Sequence, residues 1–158
     1  MRKIWSDYIA PILRRPSHYQ LAALCYRRHE GRLEILLITS RETRRWVLPK
    51  GWPKSGFDAG GTALEEAWEE AGVKPQGRAP RRVGRYSYRK RLKGGLPVPT
   101  DVDVFAIEIA KLYDSYPEAG QRERRWVTPA EASEMVDEAD LKALLADAEA
   151  LVAAPARK

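Results

Sequence analysis

Gly51-Trp52-Pro53-Lys54-Ser55-Gly56-Phe57-Asp58-Ala59-Gly60-Gly61-Thr62-Ala63-Leu64-Glu65-Glu66-Ala67-Trp68-Glu69-Glu70-Ala71-Gly72-Val73 is the stretch on which the reading of this chain turns. Its first eleven residues hold four glycines and a proline, so it opens as a loop. Thr62 to Ala71 then reads as a helix. Thr62-x-x-Glu65 matches a capping box, and Asp58 offers an N-cap for an earlier start. Gly72 stands where a helix wants a left-handed residue at its end, and Pro75 follows it. At about 100° per residue, Glu65, Glu66, Glu69 and Glu70 share an arc of roughly 140°. Ala63, Leu64, Ala67, Trp68 and Ala71 lie on the other side and form the packing face.

Like charges three and four residues apart cost a helix about 0.2–0.5 kcal/mol per pair. No Lys or Arg within this helix offsets them, so a compensating cation is expected. Oxygen-only ligands select a hard ion, Mg2+ first and Mn2+ second. The competing reading is a solvated charged face.

Working outward, Trp46 to Leu48 is a short strand stopped by Pro49. Leu21 to Tyr26 and Leu33 to Thr39 are apolar runs around a turn at 27–32, which predicts a hairpin. Beyond the helix, Val83 to Tyr88 and Val102 to Ile109 read as strands, with a basic Gly/Pro loop from Arg89 to Pro99 between them. Arg125 to Val127 is a last strand. Thr128 and Pro129, as N-cap and first helical residue, start a helix running to about Val136. Asp140 to Ala153 closes the chain as a helix, and Met1 to Ile9 is a further short helix. Strands interleaved with helices give an α/β or α+β class.

The chain has 158 residues, one domain's length. No apolar run reaches the roughly 18 residues of a membrane span, and Met1 to Arg15 has no signal-peptide core. Cys25 is the only cysteine, which excludes a disulfide scaffold and a cysteine-built zinc site. A cytoplasmic location is expected, with Cys25 an inert buried thiol. The formal net charge of +6 is uneven. Residues 1–127 carry +10 and residues 128–158 carry −4, so the basic character belongs to the part that also holds the acidic helix. Such a chain calls for an anionic partner. A compact, phosphate-rich small molecule suits a metal-loaded carboxylate helix ringed by Arg better than a long nucleic-acid backbone does.

Gly51-x5-Phe57-x7-Glu65-Glu66-Ala67-x-Glu69-Glu70-x-Gly72-Val73 resembles the signature of the Nudix hydrolases, Gly-x5-Glu-x7-Arg-Glu-U-x-Glu-Glu-x-Gly-U, where U is a bulky aliphatic. Phe57 stands where Glu is expected and Glu65 where Arg is expected; Ala67 is a small stand-in for U. Ser40-Arg41, Arg45-Trp46, Pro49 and the stretch from Tyr116 to Trp126 are similar to the diphosphoinositol and diadenosine polyphosphate branch. The resemblance implies an α/β/α sandwich with a mixed sheet, spanning 1–158 as a single domain with its box at 51–73. It implies hydrolysis of a diphosphate linked to another group. Glu66 and Glu70 then match the principal metal ligands, Glu69 a further ligand, and the Gly51 carbonyl a backbone ligand. These three glutamates are the catalytic candidates. Glu70 and Glu69 lead as general base, with Glu123 and Asp103 behind them. Glu65 stays open between a capping-box role and a fourth metal-site carboxylate, and Phe57 reads as a packing residue.

Lys50 precedes the box glycine, and Arg41 and Arg45 lie on the approach to it. Arg122 and Arg124 share a face if the last strand alternates. Arg89 belongs to a basic flap. With Trp52, which sits in the glycine loop and offers a stacking face, these are the substrate-binding candidates. Trp5, Trp46, Trp68 and Trp126 read as core, and His18 and His29 have no metal-ligand spacing. The implied substrates are diadenosine polyphosphates or diphosphoinositol polyphosphates. An RNA 5′-pyrophosphohydrolase is the alternative activity, and a weakened domain sensing a phosphorylated ligand is the alternative from another class.

Overall fold

A computed structural model describes residues 18–91 and 95–153. Strands β1 (His18–His29) and β2 (Arg32–Thr39) form the predicted hairpin, extended by several residues. Its turn narrows to Glu30 and Gly31, with φ of 53° and 77°. Two left-handed residues in succession match the right-handed twist of the strands they join. Strand β3 (Trp46–Val47) pairs with β2. A strand not predicted, β4 (Lys50–Gly51), pairs antiparallel with β1 at Ala22 and Leu21. The start of the glycine loop is thereby fastened to the centre of the sheet.

Helix α1 spans Ala59–Ala71, three residues earlier than the capping box predicts. Asp58 is its N-cap, and its Oδ1 accepts from the Gly61 N–H at 2.7 Å. Thr62 is buried inside the first turn, where its hydroxyl accepts the Lys54 N–H at 3.3 Å. The box reading of Thr62 and Glu65 is thus corrected. The earlier start takes Gly60 into the helix, where a Cβ would lie 3.3 Å from Pro80 and 3.6 Å from the Phe105 ring. Gly72 ends the helix as expected, at φ 67°. A Cβ there would lie 2.5 Å from the Tyr116 ring and 2.8 Å from the Tyr113 carbonyl.

Pro75, read as a breaker, ends a short strand β5 (Val73–Pro75) on the sheet edge. Strands β6 (Arg81–Arg91) and β7 (Pro97–Leu112) are far longer than predicted. Their ladder continues to Arg89 opposite Pro99 and Arg91 opposite Pro97. The expected basic flap is therefore mostly a ribbon of paired backbone. Strand β8 is Arg124–Val127. Helix α2 (Pro129–Met135) carries the predicted Thr128 cap, completed as a capping box with Glu131. The single closing helix is two, α3 (Ala139–Ala146) and α4 (Ala148–Ala153), interrupted at Asp147. The predicted helix at Met1 to Ile9, and Trp5 with it, lie outside the described residues.

The sheet runs β3-β2-β1-β7-β5, with β8 beside β2, β6 beside β7 and β4 beside β1. Strands β1 and β7 are parallel and the other pairs antiparallel, so the sheet is mixed. Its central strands are buried on both faces, which is why they read as unbroken apolar runs. Ala22, Leu24, Ile35, Leu37, Tyr86 and Val104 pack with Leu141 and Leu145 on one side. Leu21, Ala23, Cys25, Leu36 and Ile38 pack with Ala63, Ala67 and Ala71 of α1 on the other. This is the expected α/β/α sandwich. Burial raises the Cys25 thiol pKa far above its ordinary value, in keeping with an inert role.

Candidate active site

Strand β4 lays the backbone of residues 50–51 across the last turns of α1. The fit is close, so that any larger residue at position 51 would have to displace the Glu66 carboxylate. A Cβ on Gly51 would overlap the Glu66 side chain, with Oε2 only 2.7 Å away. Across the same seam the Lys50 N–H donates to Glu70 Oε1 at 3.2 Å. Glu66 and Glu70 are consequently buried, 7% and 8% exposed, between the helix and the loop it follows. They are buried along with Ala63 and Ala67, where the helical wheel had set the carboxylates on a face apart from the packing one. Glu69 and Glu65 are more open, both half-buried.

Burial raises the pKa of both inner carboxyls, Glu70 to about 7. Arg122 and the Lys50 N–H oppose the shift at Glu70, as Lys54 does at Glu66. Lys54 Nζ lies 3.2 Å from Glu66 Oε1 and 2.7 Å from Glu69 Oε1. Arg122 Nη2 lies 3.3 Å from Glu70 Oε2. The compensating cations expected from the sequence thus include two side chains from other segments. Lysine bridges the oxygens where a hard divalent ion would be held, and the oxygen-only donor set suits Mg2+ or Mn2+. Among the described residues no group of three or more His, Cys, Asp or Glu side chains is already gathered in metal-binding geometry. The Lys54 ammonium joins two of the carboxylates, Glu66 and Glu69.

The substrate-binding candidates separate into distinct places. Lys50 and Trp52 come together with residues the sequence reading passed over. The Lys50 ammonium lies 5.3 Å from the Tyr88 ring centre, and Lys90 lies 5.8 Å from that of Trp52. His18 meets Trp52 edge-on at 5.3 Å, and the Tyr88 hydroxyl donates to Gln20 at 2.6 Å. Trp52 is 39% exposed. Burial lowers the Lys50 pKa to about 8. The alternation of β6 puts Lys90 on this side and exposed Arg89 on the opposite face, with Arg85 and Ser87. Arg89 and Lys90 thus stand on opposite faces of the ribbon, and it is Lys90 that meets Trp52. Strand periodicity would have found Lys90 had the ribbon not been read as a loop.

Arg45 is 3.4 Å from Asp137 and 3.5 Å from Glu138, which ties it to the segment between α2 and α3. Arg41 is an exposed rim residue 3.4 Å from Gln121. Arg122 and Arg124 do share a face, but both are turned inward. Arg124 donates to the Ala71 carbonyl at 2.9 Å and the Tyr113 carbonyl at 2.8 Å, and lies over the Tyr116 ring. It holds the C-terminal end of α1, where cations and donors are wanted. Neither arginine is free to clamp a ligand. Asp103 accepts from Tyr19 at 2.6 Å, Arg85 at 2.8 Å and Arg82 at 3.0 Å. Burial would raise its pKa, but these donors hold it far below the usual carboxylate range. It is an anchor for arginines and a poor base. Glu123 is exposed, and its backbone is paired with Thr39.

An α/β/α sandwich with a carboxylate-bearing helix pressed beneath a glycine loop defines the class: a hydrolase fold of the Nudix type. Residues 18–148 match the family model described as the NUDIX domain, and the chain belongs to that family. It is 29% identical over 103 residues to Nudix hydrolase 4 of Arabidopsis thaliana, a match covering 65% of this chain and 47% of that protein. It is 40% identical over 53 residues to human diphosphoinositol polyphosphate phosphohydrolase 3-alpha, covering 34% of this chain and 32% of that one. The aligned part is thus about half or less of these relatives' length. The crystal structure of a C. elegans Ap4A hydrolase superposes with a TM-score of 0.66 at 21% identity, covering 87% of this chain and 99% of that one. No helix among the described residues is long and apolar enough to cross a membrane.

Proposed function

We propose that the chain is a Mg2+-dependent pyrophosphohydrolase cleaving a phosphoanhydride in a nucleoside-diphosphate-linked small molecule, with diadenosine polyphosphates as the leading substrates. The observation that carries the reading is the pair of buried carboxylates, Glu66 and Glu70, held against the backbone of residues 50–51. Buried charges are retained only when compensated. Glu66, Glu69, Glu70 and the Gly51 carbonyl would hold the ion, with Lys54 displaced from its bridge. When bound, such an ion neutralises phosphate charge and lowers the pKa of attacking water. Glu69 is the most open of the three carboxylates and is suited to accept the water's proton. Lys50 and Lys90 offer charge to the phosphates, and Trp52 offers a face to a base.

The nucleoside-linked substrate is favoured over the inositol one on two grounds. A fully phosphorylated ring wants many free cations, and Arg122, Arg124, Arg85 and Arg82 already have partners. The exposed aromatic face of Trp52 suits a planar base. The relatives named for diphosphoinositol polyphosphates and Ap4A support the general class of substrate. A phosphate-release screen of diadenosine polyphosphates, a diphosphoinositol polyphosphate and 5′-triphosphate RNA, each with Mg2+, Mn2+ or chelator, tests this. Metal-dependent turnover is expected on the diadenosine compounds. Trp52→Ala should raise KM for them by about tenfold, the worth of one stacking contact. Tight ligand binding without turnover on any anhydride would support the sensor instead.

A further inference from the structure

We infer that Arg122 and Glu118 form a positioning pair that orients Glu70, and that Arg122 is therefore not a substrate clamp. The inference rests on the assignment of Glu70 to the metal site.

Three observations carry it. First, the Arg122 guanidinium is 9% exposed, and its nitrogens are all directed to protein acceptors. Nε donates to Glu118 Oε1 at 3.1 Å, Nη1 to the Thr39 carbonyl at 3.2 Å, and Nη2 to Glu70 Oε2 at 3.3 Å. Nη2 is also 3.1 Å from Glu118 Oε1. A planar guanidinium held on two sides has its third side fixed in direction. Second, the other oxygen of Glu70 takes the Lys50 N–H, so both carboxylate oxygens are held and the plane of the group is set. Third, the segment bearing Glu118 is itself bound to α1. The Glu118 N–H donates to the Glu69 carbonyl at 3.0 Å, and the Tyr113 N–H to that of Gly72 at 2.8 Å. The chain between β7 and β8 thus forms a collar on the last turn of α1, and Arg122 projects inward from it.

The box itself supplies no such cation. Glu65 stands where an arginine would be within the helix, and the half-exposed Phe57 carries no charge. The orienting charge comes instead from about fifty residues downstream, on a largely buried side chain held by three acceptor groups.

The test uses Arg122→Gln, Arg122→Lys and Glu118→Gln in the full chain, read by steady-state kinetics and by Mn2+ titration followed by electron paramagnetic resonance. A positioning role predicts that Arg122→Gln lowers kcat by about 30-fold or more with KM within threefold. It also predicts that Mn2+ binds several-fold more weakly, although a positive charge next to the site has been removed. Lysine should rescue little, because one ammonium cannot serve three directions. Glu118→Gln, which touches neither substrate nor Glu70, should change both quantities in the same direction by a smaller factor. It also keeps the inference testable if Arg122→Gln does not fold. A KM increase with kcat retained would overturn the inference in favour of a clamp, and unchanged kcat and Mn2+ affinity would reduce the pair to a structural one. Wild-type protein that binds no Mn2+ would instead overturn the metal-site reading itself.

Discussion

Glu66 and Glu70 sit in a helix that has no basic residue of its own, and every cation facing them comes from another segment. The sequence made the need for compensation legible, because four carboxylates within six positions repel one another. It did not make the donors legible. Lys54 looked like one more loop residue, and Arg122 read as a residue for the substrate rather than as a partner of Glu70. Asp103 shows the same limit from the other side. Its alternating strand context gave no sign that Tyr19, Arg82 and Arg85 converge on it. Its pKa is depressed in the folded chain, so its stabilisation is complete above the unfolded value of about 3.9. That stabilisation is lost as pH falls below this value toward the folded one, because the unfolded chain then binds more protons. Urea unfolding at pH 6 and pH 3 should therefore show a smaller pH-dependent loss for Asp103→Asn than for wild type. At pH 6 the variant should be less stable by about 1–3 kcal/mol. Equal pH dependence in both proteins would remove the assigned role.

At the scale of elements, α1 was legible in its body and its end. The spacing of Ala63, Ala67 and Ala71 and the position of Gly72 both hold. Its start was misread because two caps competed in the sequence and only packing chose between them. Asp58→Ala should lower stability by about 0.5–2 kcal/mol, the usual worth of an N-cap, in thermal or urea unfolding. A neutral result would return the cap to Thr62. The ribbon of β6 and β7 was truncated in the reading, since Pro97, Pro99 and Gly94-Gly95 all signal a loop. Pro97 and Pro99 precede Thr100, where β7 first pairs with β1, so in that stretch the strand has β6 on one side only and prolines are tolerated. Read as a loop, the segment had no alternation, so the opposite faces taken by Arg89 and Lys90 were not legible.

The whole molecule divides its labour between the two sides of the sheet. Helix α1 and the carboxylates occupy one side, and α2, α3 and α4 occupy the other. The class of fold followed from interleaved strands and helices, together with the resemblance. The parallel pairing of β1 with β7, some eighty residues apart, followed from nothing local. Leu141 is fully buried on the side that lacks the carboxylates. Leu141→Ala should cost about 2–5 kcal/mol by thermal unfolding, while kcat at a temperature where the variant is folded changes less than threefold. A large loss of kcat in folded protein would couple the two layers more tightly than this division allows.

On the proposed function, the buried carboxylates of α1 carry a metal-dependent hydrolysis. Glu70→Gln keeps the shape of the side chain and an acceptor for the Lys50 N–H, and removes the charge. The direct measurement is Mg2+-dependent phosphate release from a diadenosine polyphosphate by wild type and by this variant, with circular dichroism melting in parallel. Turnover should fall by about a hundredfold or more, as expected on removing a metal-site carboxylate, with the cooperative melt retained. Turnover like that of wild type would contradict the proposed function.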